Sequence, residues 1–119
     1  MTYVDGFVLA VPTANKAAYK THAEGTIDLF RRYGALQMVE TWGVDVPDGE
    51  VTSFPMAVKL KPDETVVFSW IIWPDKATRD KAWAEMTSDP DMAAMVEIPF
   101  DGKRMIFGAF EPLMEVTLG

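Results

Sequence analysis

Four side chains of the sequence are of types that could perform acid/base chemistry together. His22 is the only histidine, and histidine is the residue type that changes charge near neutral pH, as a general acid or base must. Asp5 and Glu40 lie within apolar runs, where a carboxylate is costly unless it is paired or hydrogen-bonded. We expect His22 to be the acid/base group, the two carboxylates to orient it or a substrate, and Arg104 to be their counter-ion or an anion clamp.

Each of these residues also has a purely structural interpretation, which the sequence leaves open. A lone histidine on a helix is often a packed side chain with one hydrogen bond. A carboxylate in a strand is often one half of an ordinary ion pair near an edge, and aromatic residues at regular spacing usually form core. Of the many aromatic residues, Tyr19, Trp42 and Trp70 are the predicted walls of a ligand pocket.

Metal and nucleotide sites have little support in the residue types. The chain contains no cysteine and one histidine, so only carboxylates remain as ligands. Asp45, Asp48 and Glu50 do not follow the spacing of a calcium-binding loop. The glycines do not form a phosphate-binding motif, and we expect neither a metal nor a cofactor.

Hydrophobic periodicity predicts the order β-α-β-(β)-β-α-β. Alternating or β-branched runs indicate strands, whereas apolar residues at a spacing of three to four indicate helices. Pro55 restricts the bracketed strand to an edge position. The predicted strands span residues 3–11, 35–44, 54–60, 65–73 and 103–110, and the predicted helices span residues 13–33 and 75–87, with a further helical turn beginning at Asp89 and Pro90.

This order is typical of an α+β domain with a ferredoxin-like, split β-α-β antiparallel sheet and two helices on one face. We expect residues 1–119 to form one such domain. In this topology the first and third major strands are central and the last strand flanks the first. The arrangement predicts a contact between Asp5 and Arg104.

Both faces of the two central strands are apolar, which indicates an interface between subunits. In the 65–73 strand, Val66, Phe68, Trp70 and Ile72 point to one side, while the other side is also mostly apolar. A strand with one solvated face would alternate with polar residues. Because two helices cover only one face, we expect a homodimer formed through the open face of the sheet.

Composition excludes several classes of function. The 119 residues carry a formal net charge of −7, which opposes the phosphate contacts that nucleic-acid binding requires. The longest apolar run is far shorter than the roughly 20 residues of a membrane-spanning helix. We therefore expect a cytoplasmic protein without nucleic-acid or membrane partners, stabilised without disulfides.

Four ordered motifs together cover essentially the whole chain: residues 3–7, 39–43 followed by 45–49, 64–70 and 99–106. They resemble those of the DUF1428, or YbaA-like, family. The resemblance implies a dimeric α+β barrel. More distant members of that fold group include cofactor-independent monooxygenases, haem-degrading enzymes, lactone isomerases and dehydratases, so the fold alone selects no chemistry.

Two hypotheses of function follow. In the first, a cavity between sheet and helices binds a small apolar or aromatic metabolite, and any catalysis is proton abstraction with isomerisation or cofactor-free oxygenation. In the second, the cavity is filled and the protein is a non-enzymatic structural or interaction protein. An open pocket lined by His22 and a carboxylate favours the first hypothesis. Haem binding is a third possibility, for which only His22 could supply a strong axial ligand.

Overall fold

A four-stranded antiparallel sheet forms the framework of the computed structural model, which describes residues 2–93 and 98–119. The strand order is β2-β3-β1-β4, so β1 and β3 are central and β4 flanks β1. This confirms the predicted sheet topology. The strands are β1 (Tyr3–Pro12), β2 (Gln37–Trp42), β3 (Glu64–Trp73) and β4 (Ile106–Phe110).

Two pairs of helices connect the strands. The pair α1 (Lys16–Glu24) and α2 (Ile27–Arg32) joins β1 to β2, and the pair α4 (Lys76–Met86) and α5 (Pro90–Ala93) follows β3. The Asp75 carboxylate accepts a hydrogen bond of 2.7 Å from the backbone N–H of Thr78, which caps α4 as its sequence predicts.

The predicted helix over residues 13–33 is divided into α1 and α2. The Thr26 hydroxyl donates a 2.7 Å hydrogen bond to the carbonyl of Ala23. A side chain thereby satisfies one of the backbone carbonyls at the end of α1, where the two helices separate. Gly25, a poor helix former, precedes it. The second helix ends where expected, at Gly34, whose φ of +101° favours glycine.

The predicted edge strand over residues 54–60 is wrong, because this segment begins with the short helix α3 (Phe54–Ala57). The Ser53 hydroxyl accepts a 3.1 Å hydrogen bond from the N–H of Met56, and Pro55 occupies the first turn, where its missing N–H is not needed. These local signals outweigh the alternating apolar pattern. Val58, which follows the helix, packs against Ala10 and Val66.

The last strand is also shorter than expected. The predicted strand over 103–110 begins only at Ile106, because residues Gly102–Arg104 form a 3₁₀ turn capped by the Asp101 side chain. Arg104 therefore lies in a turn before β4 and not within the sheet.

The faces of the sheet differ in how they are covered. On one face, Leu9, Val67 and Trp73 are fully buried under the helices. On the opposite face, Phe68 is 43% exposed and Phe110 is 59% exposed. The segment around α3 covers only one end of this face, where the Phe54 and Phe68 rings lie 5.8 Å apart. Among residues 2–93 and 98–119, no helix is long and apolar enough to cross a membrane.

Candidate functional site

A cavity of about 350 Å³ lies between α1 and the β2 edge of the sheet and opens to solvent. Its volume lies at the lower end of the range of small-ligand pockets. We refer to it as the outer cavity. Its walls are mostly apolar with a few charged groups: Lys16, Tyr19, Lys20, Ala23, Glu24, Ile27, Met38, Glu40, Thr41 and Trp42.

A second space of about 150 Å³ lies beside the outer cavity, and we refer to it as the inner cavity. The two share Tyr19, Ala23, Met38 and Glu40 as walls and are therefore adjacent. Beyond these shared residues, the inner cavity is lined by Phe7, Leu9, His22, Thr26, Phe30, Ser69, Ile71, Trp83, Phe100 and Met105.

Tyr19 and Glu40 form a hydrogen-bonded pair between the helix and the sheet. The buried Tyr19 hydroxyl on α1 donates a 2.6 Å hydrogen bond to Glu40 Oε1 on β2. Burial, and then the bond to Glu40, raises the pKa of Tyr19, so this side chain remains a phenol and a hydrogen-bond donor. The pair places a carboxylate at the junction of both cavities.

The Glu40 carboxyl is partly desolvated by the surrounding protein, which raises its pKa above the usual range. Hydrogen bonds from Tyr19 and from the opposing Ser69 stabilise the carboxylate and work in the other direction, but desolvation is the larger effect. Glu40 is still accessible to solvent through the open side of the outer cavity. A desolvated, accessible carboxyl with a fixed partner is a good candidate for an acid or base.

His22 is half-buried and lines the inner cavity, as expected for the proposed acid/base group. Its ring meets the Phe100 ring edge-on at a centroid distance of 6.4 Å. The structure thus places His22 on the inner cavity and Tyr19 and Glu40 on the wall shared by both cavities, whereas the other predicted catalytic carboxylate lies elsewhere.

Asp5 does not contact Arg104, and this prediction is wrong. Its carboxylate accepts hydrogen bonds from Trp73 Nε1 at 2.9 Å and from Trp83 Nε1 at 2.8 Å, and Arg79 Nη2 donates at 2.8 Å. The carboxylate is therefore occupied by structural donors, beneath α4 and behind the wall of the inner cavity. Two of these donors, Arg79 and Trp83, are spaced i, i+4 on one face of α4, and this spacing is the sequence feature that indicates them as partners.

Arg104 is likewise occupied in a structural role and does not line either cavity. Its guanidinium forms salt bridges with Glu64 and Asp101 and donates a 3.0 Å hydrogen bond to the carbonyl of Lys59. Hydrogen bonding to Arg104 lowers the pKa of Glu64 to about 2. Arg104 thus fastens this turn to the start of β3. It cannot reach Asp5, because Asp5 lies opposite Ala109 of β4, five residues further along the chain.

The two predicted pocket tryptophans lie on opposite faces of the sheet. Trp42 lines the outer cavity, where the Lys16 ammonium lies 5.5 Å from the centroid of its ring. Trp70 does not line this cavity, because it shares the open face with Phe68, and its placement in the pocket wall is wrong. Strand alternation explains the difference, since Trp70 and the helix-facing Ser69 are neighbours in sequence.

Several residues that line the outer cavity are not among the predicted site residues, although the periodicity of the sequence identifies them. Lys16, Ala23 and Ile27 extend the helical spacing of Tyr19 along α1 and α2, and Met38 continues the period of two through Glu40 and Trp42 on β2. Within the described residues, no group of three histidine, aspartate or glutamate side chains could hold a metal ion.

Comparison with solved structures shows which fold this is. The chain is similar to a variant of SnoaB, a cofactor-independent oxygenase from Streptomyces nogalater, with a TM-score of 0.54 and 16% identity over 97% of this chain and 94% of that one. It is also similar to a dimeric ferredoxin-like protein from an uncultured marine organism, with a TM-score of 0.55 and 13% identity over 97% and 98% of the two chains. The α+β, ferredoxin-like fold expected from the sequence is confirmed.

Sequence comparison gives the family. The chain is 54% identical to uncharacterized protein YbaA of Escherichia coli K12 over 116 residues, covering 97% of this chain and 99% of that one. The same identity and coverage hold for YbaA of Shigella flexneri. The family model for proteins of unknown function named DUF1428 matches residues 2–102. The chain therefore belongs to the DUF1428 family, as the four sequence segments indicated.

Proposed function

We propose that the protein binds a small, largely apolar or aromatic metabolite in the outer and inner cavities and performs acid/base chemistry on it with Glu40. The observation that carries this proposal is the 2.6 Å hydrogen bond from Tyr19 to a partly desolvated Glu40 carboxyl in an open cavity. The cavity walls are otherwise mostly apolar, which suits an apolar ligand body.

The supported reaction begins with proton abstraction from a carbon atom of the ligand. The Glu40 carboxylate takes the proton, and Tyr19 holds the carboxylate in place and donates a hydrogen bond. Return of the proton to a different carbon gives an isomer, and His22 on the far side of the shared wall is the second group suited to proton transfer.

Cofactor-free oxygenation starts from the same step. The carbanion or enolate would react with O₂, which oxidises a CH₂ group to a carbonyl while the second oxygen atom leaves as water. The similarity in fold to a cofactor-independent oxygenase supports testing candidate ligands for oxygenation as well as for isomerisation.

The ligand-binding proposal is tested by a thermal-shift screen of a metabolite library. Ala23 forms part of the wall of both cavities, so Ala23→Trp should fill them and remove stabilisation by a cavity ligand. Ligands that raise the melting temperature of the wild type but not of this variant support the proposal. A library without such ligands would favour the filled-cavity, non-enzymatic alternative.

We also propose that the protein is a homodimer formed through the open face of the sheet. Phe68, Trp70 and Phe110 present apolar surface there that the chain's own helices leave uncovered. The structural relative described as a dimeric ferredoxin-like protein supports this assembly.

Light scattering should give a mass twice that of the 13.3 kDa chain. Phe68→Asp should reduce it to the mass of one chain, because a carboxylate would have to be buried at the interface without a partner. Val51→Asp is the matched control, since Val51 is 95% exposed and lies outside the sheet, in the loop between β2 and α3. A wild-type mass of 13.3 kDa at micromolar concentration would contradict the homodimer.

A further inference from the structure

Side chains of α1 and β2 meet in three successive layers along the outer cavity. Lys16 lies over Trp42, and Tyr19 is bonded to Glu40. Ala23 and Met38 form the third layer and line both cavities. These layers give the cavity an ammonium group at one end, a hydrogen-bonded pair in the middle and apolar side chains at the other end, while the Lys20–Glu24 ion pair is also among its walls.

The cationic end carries an ammonium group, that of Lys16, which forms no salt bridge with the part of the chain that the structure describes. Lys20, one turn further along α1, lies 3.5 Å from Glu24. Among residues 2–93 and 98–119, no carboxylate lies within salt-bridge distance of Lys16. Two lysines one helical turn apart repel each other, and both line this cavity in a protein of net charge −7. An anion bound here would relieve that repulsion.

Trp42 makes the same end suited to a flat ligand. Its ring lines the cavity while Lys16 lies 5.5 Å from the ring centroid, so an apolar surface and an ammonium group are adjacent. A molecule with an oxyanionic group on an aromatic or unsaturated body can contact both. A neutral hydrocarbon would leave the ammonium without an anionic partner.

Resting on the proposed ligand-binding function, we infer that the ligand is an amphipathic organic anion, with one carboxylate or similar oxyanion bound by Lys16 and an apolar body that extends past Tyr19 and Glu40. Alternate residues of a strand are about 6.6 Å apart, so the Trp42 and Glu40 layers are separated by about one aromatic ring. The reacting atom thus lies about that distance from the anionic group.

The inference is tested with two probes of nearly equal shape, 2-naphthoate and the neutral 2-naphthamide, by calorimetric titration at pH 8. The wild type should bind the acid about tenfold more tightly than the amide, because a charge-assisted contact is stronger than a neutral one. Lys16→Met, which keeps the apolar stem, should remove this preference and leave the affinity for the amide unchanged. Lys81→Met, at an exposed lysine of α4, is the control and should behave like the wild type.

The outcomes separate this inference from the function on which it rests. Equal affinity for the two probes in the wild type, or a preference that survives Lys16→Met, would overturn the anionic assignment and leave the cavity as a binding site. Absence of binding by both probes, or binding that Ala23→Trp does not weaken, would contradict the cavity site and the inference together.

Discussion

Asp5→Ala is expected to lower the free energy of unfolding by about 3–5 kcal/mol, the usual effect of removing one partner of a buried ion pair. The Asp5 side chain is 4% exposed and accepts hydrogen bonds from two indoles and from Arg79. Without it, the indole of the fully buried Trp73 loses its acceptor and the Arg79 guanidinium loses its buried counter-ion. These contacts attach α4 to β1, so their loss weakens one side of the core.

Urea denaturation followed by tryptophan fluorescence measures this effect, at one fixed protein concentration because dimerisation would make stability depend on it. Asp80→Ala is the matched control, since Asp80 also contacts Arg79, at 3.1 Å, but on the solvent side. Asp5→Asn should fall between Asp5→Ala and the wild type, because an amide oxygen still accepts hydrogen bonds. A midpoint of Asp5→Ala close to that of the control would show that the buried carboxylate does not hold α4.

Glu40→Gln is expected to reduce proton exchange at the reacting carbon of a bound ligand by about a hundredfold or more, the contribution typical of a general base. The amide keeps the size of the side chain and still accepts the Tyr19 hydrogen bond, but it cannot take a proton. Exchange is measured by proton NMR in D₂O on ligands found in the thermal-shift screen. Glu24→Gln, at another carboxylate of the outer cavity, is the control and should exchange at the wild-type rate.

The pH dependence of this exchange has a defined direction. A base must be deprotonated, so the rate should rise with pH and level off above the pKa of Glu40, which burial places above that of an ordinary glutamate. Tyr19→Phe removes a hydrogen bond that stabilises the carboxylate, and it should shift the rise to still higher pH. A wild-type profile that is retained in Glu40→Gln would assign the proton transfer to another group.

The sheet could be predicted from the sequence because its strands carry strong local signals. β3 is a largely apolar run, interrupted by Ser69, that ends before Pro74, and β1 ends at Pro12. The segment after Ser53 shows why local patterns can also mislead. Its alternating apolar residues predict a strand, but the serine cap and Pro55 favour a helix, and the helix forms.

The site was predicted only in part, because side-chain pairing depends on distances that periodicity does not contain. Tyr19 and Glu40 were each selected from the sequence, but their hydrogen bond depends on the lateral position of α1 over β2. The predicted partner of Asp5 is wrong because Asp5 lies opposite Ala109 of β4, five residues beyond Arg104 in the sequence. Trp70 was assigned to the cavity although its strand position places it on the other face.

The central claim, that the functional site lies between α1 and β2, is tested most directly by one ¹⁵N–¹H correlation spectrum of the indole groups with and without a ligand from the screen. The four tryptophans report on different places. Trp42 reports on the outer cavity, Trp83 on the inner cavity and the Asp5 cluster, Trp73 on the Asp5 cluster, and Trp70 on the open face. We predict that the Trp42 signal shifts strongly and that of Trp70 stays in place. A shift confined to Trp70 would place the ligand on the open face of the sheet and contradict the proposed site.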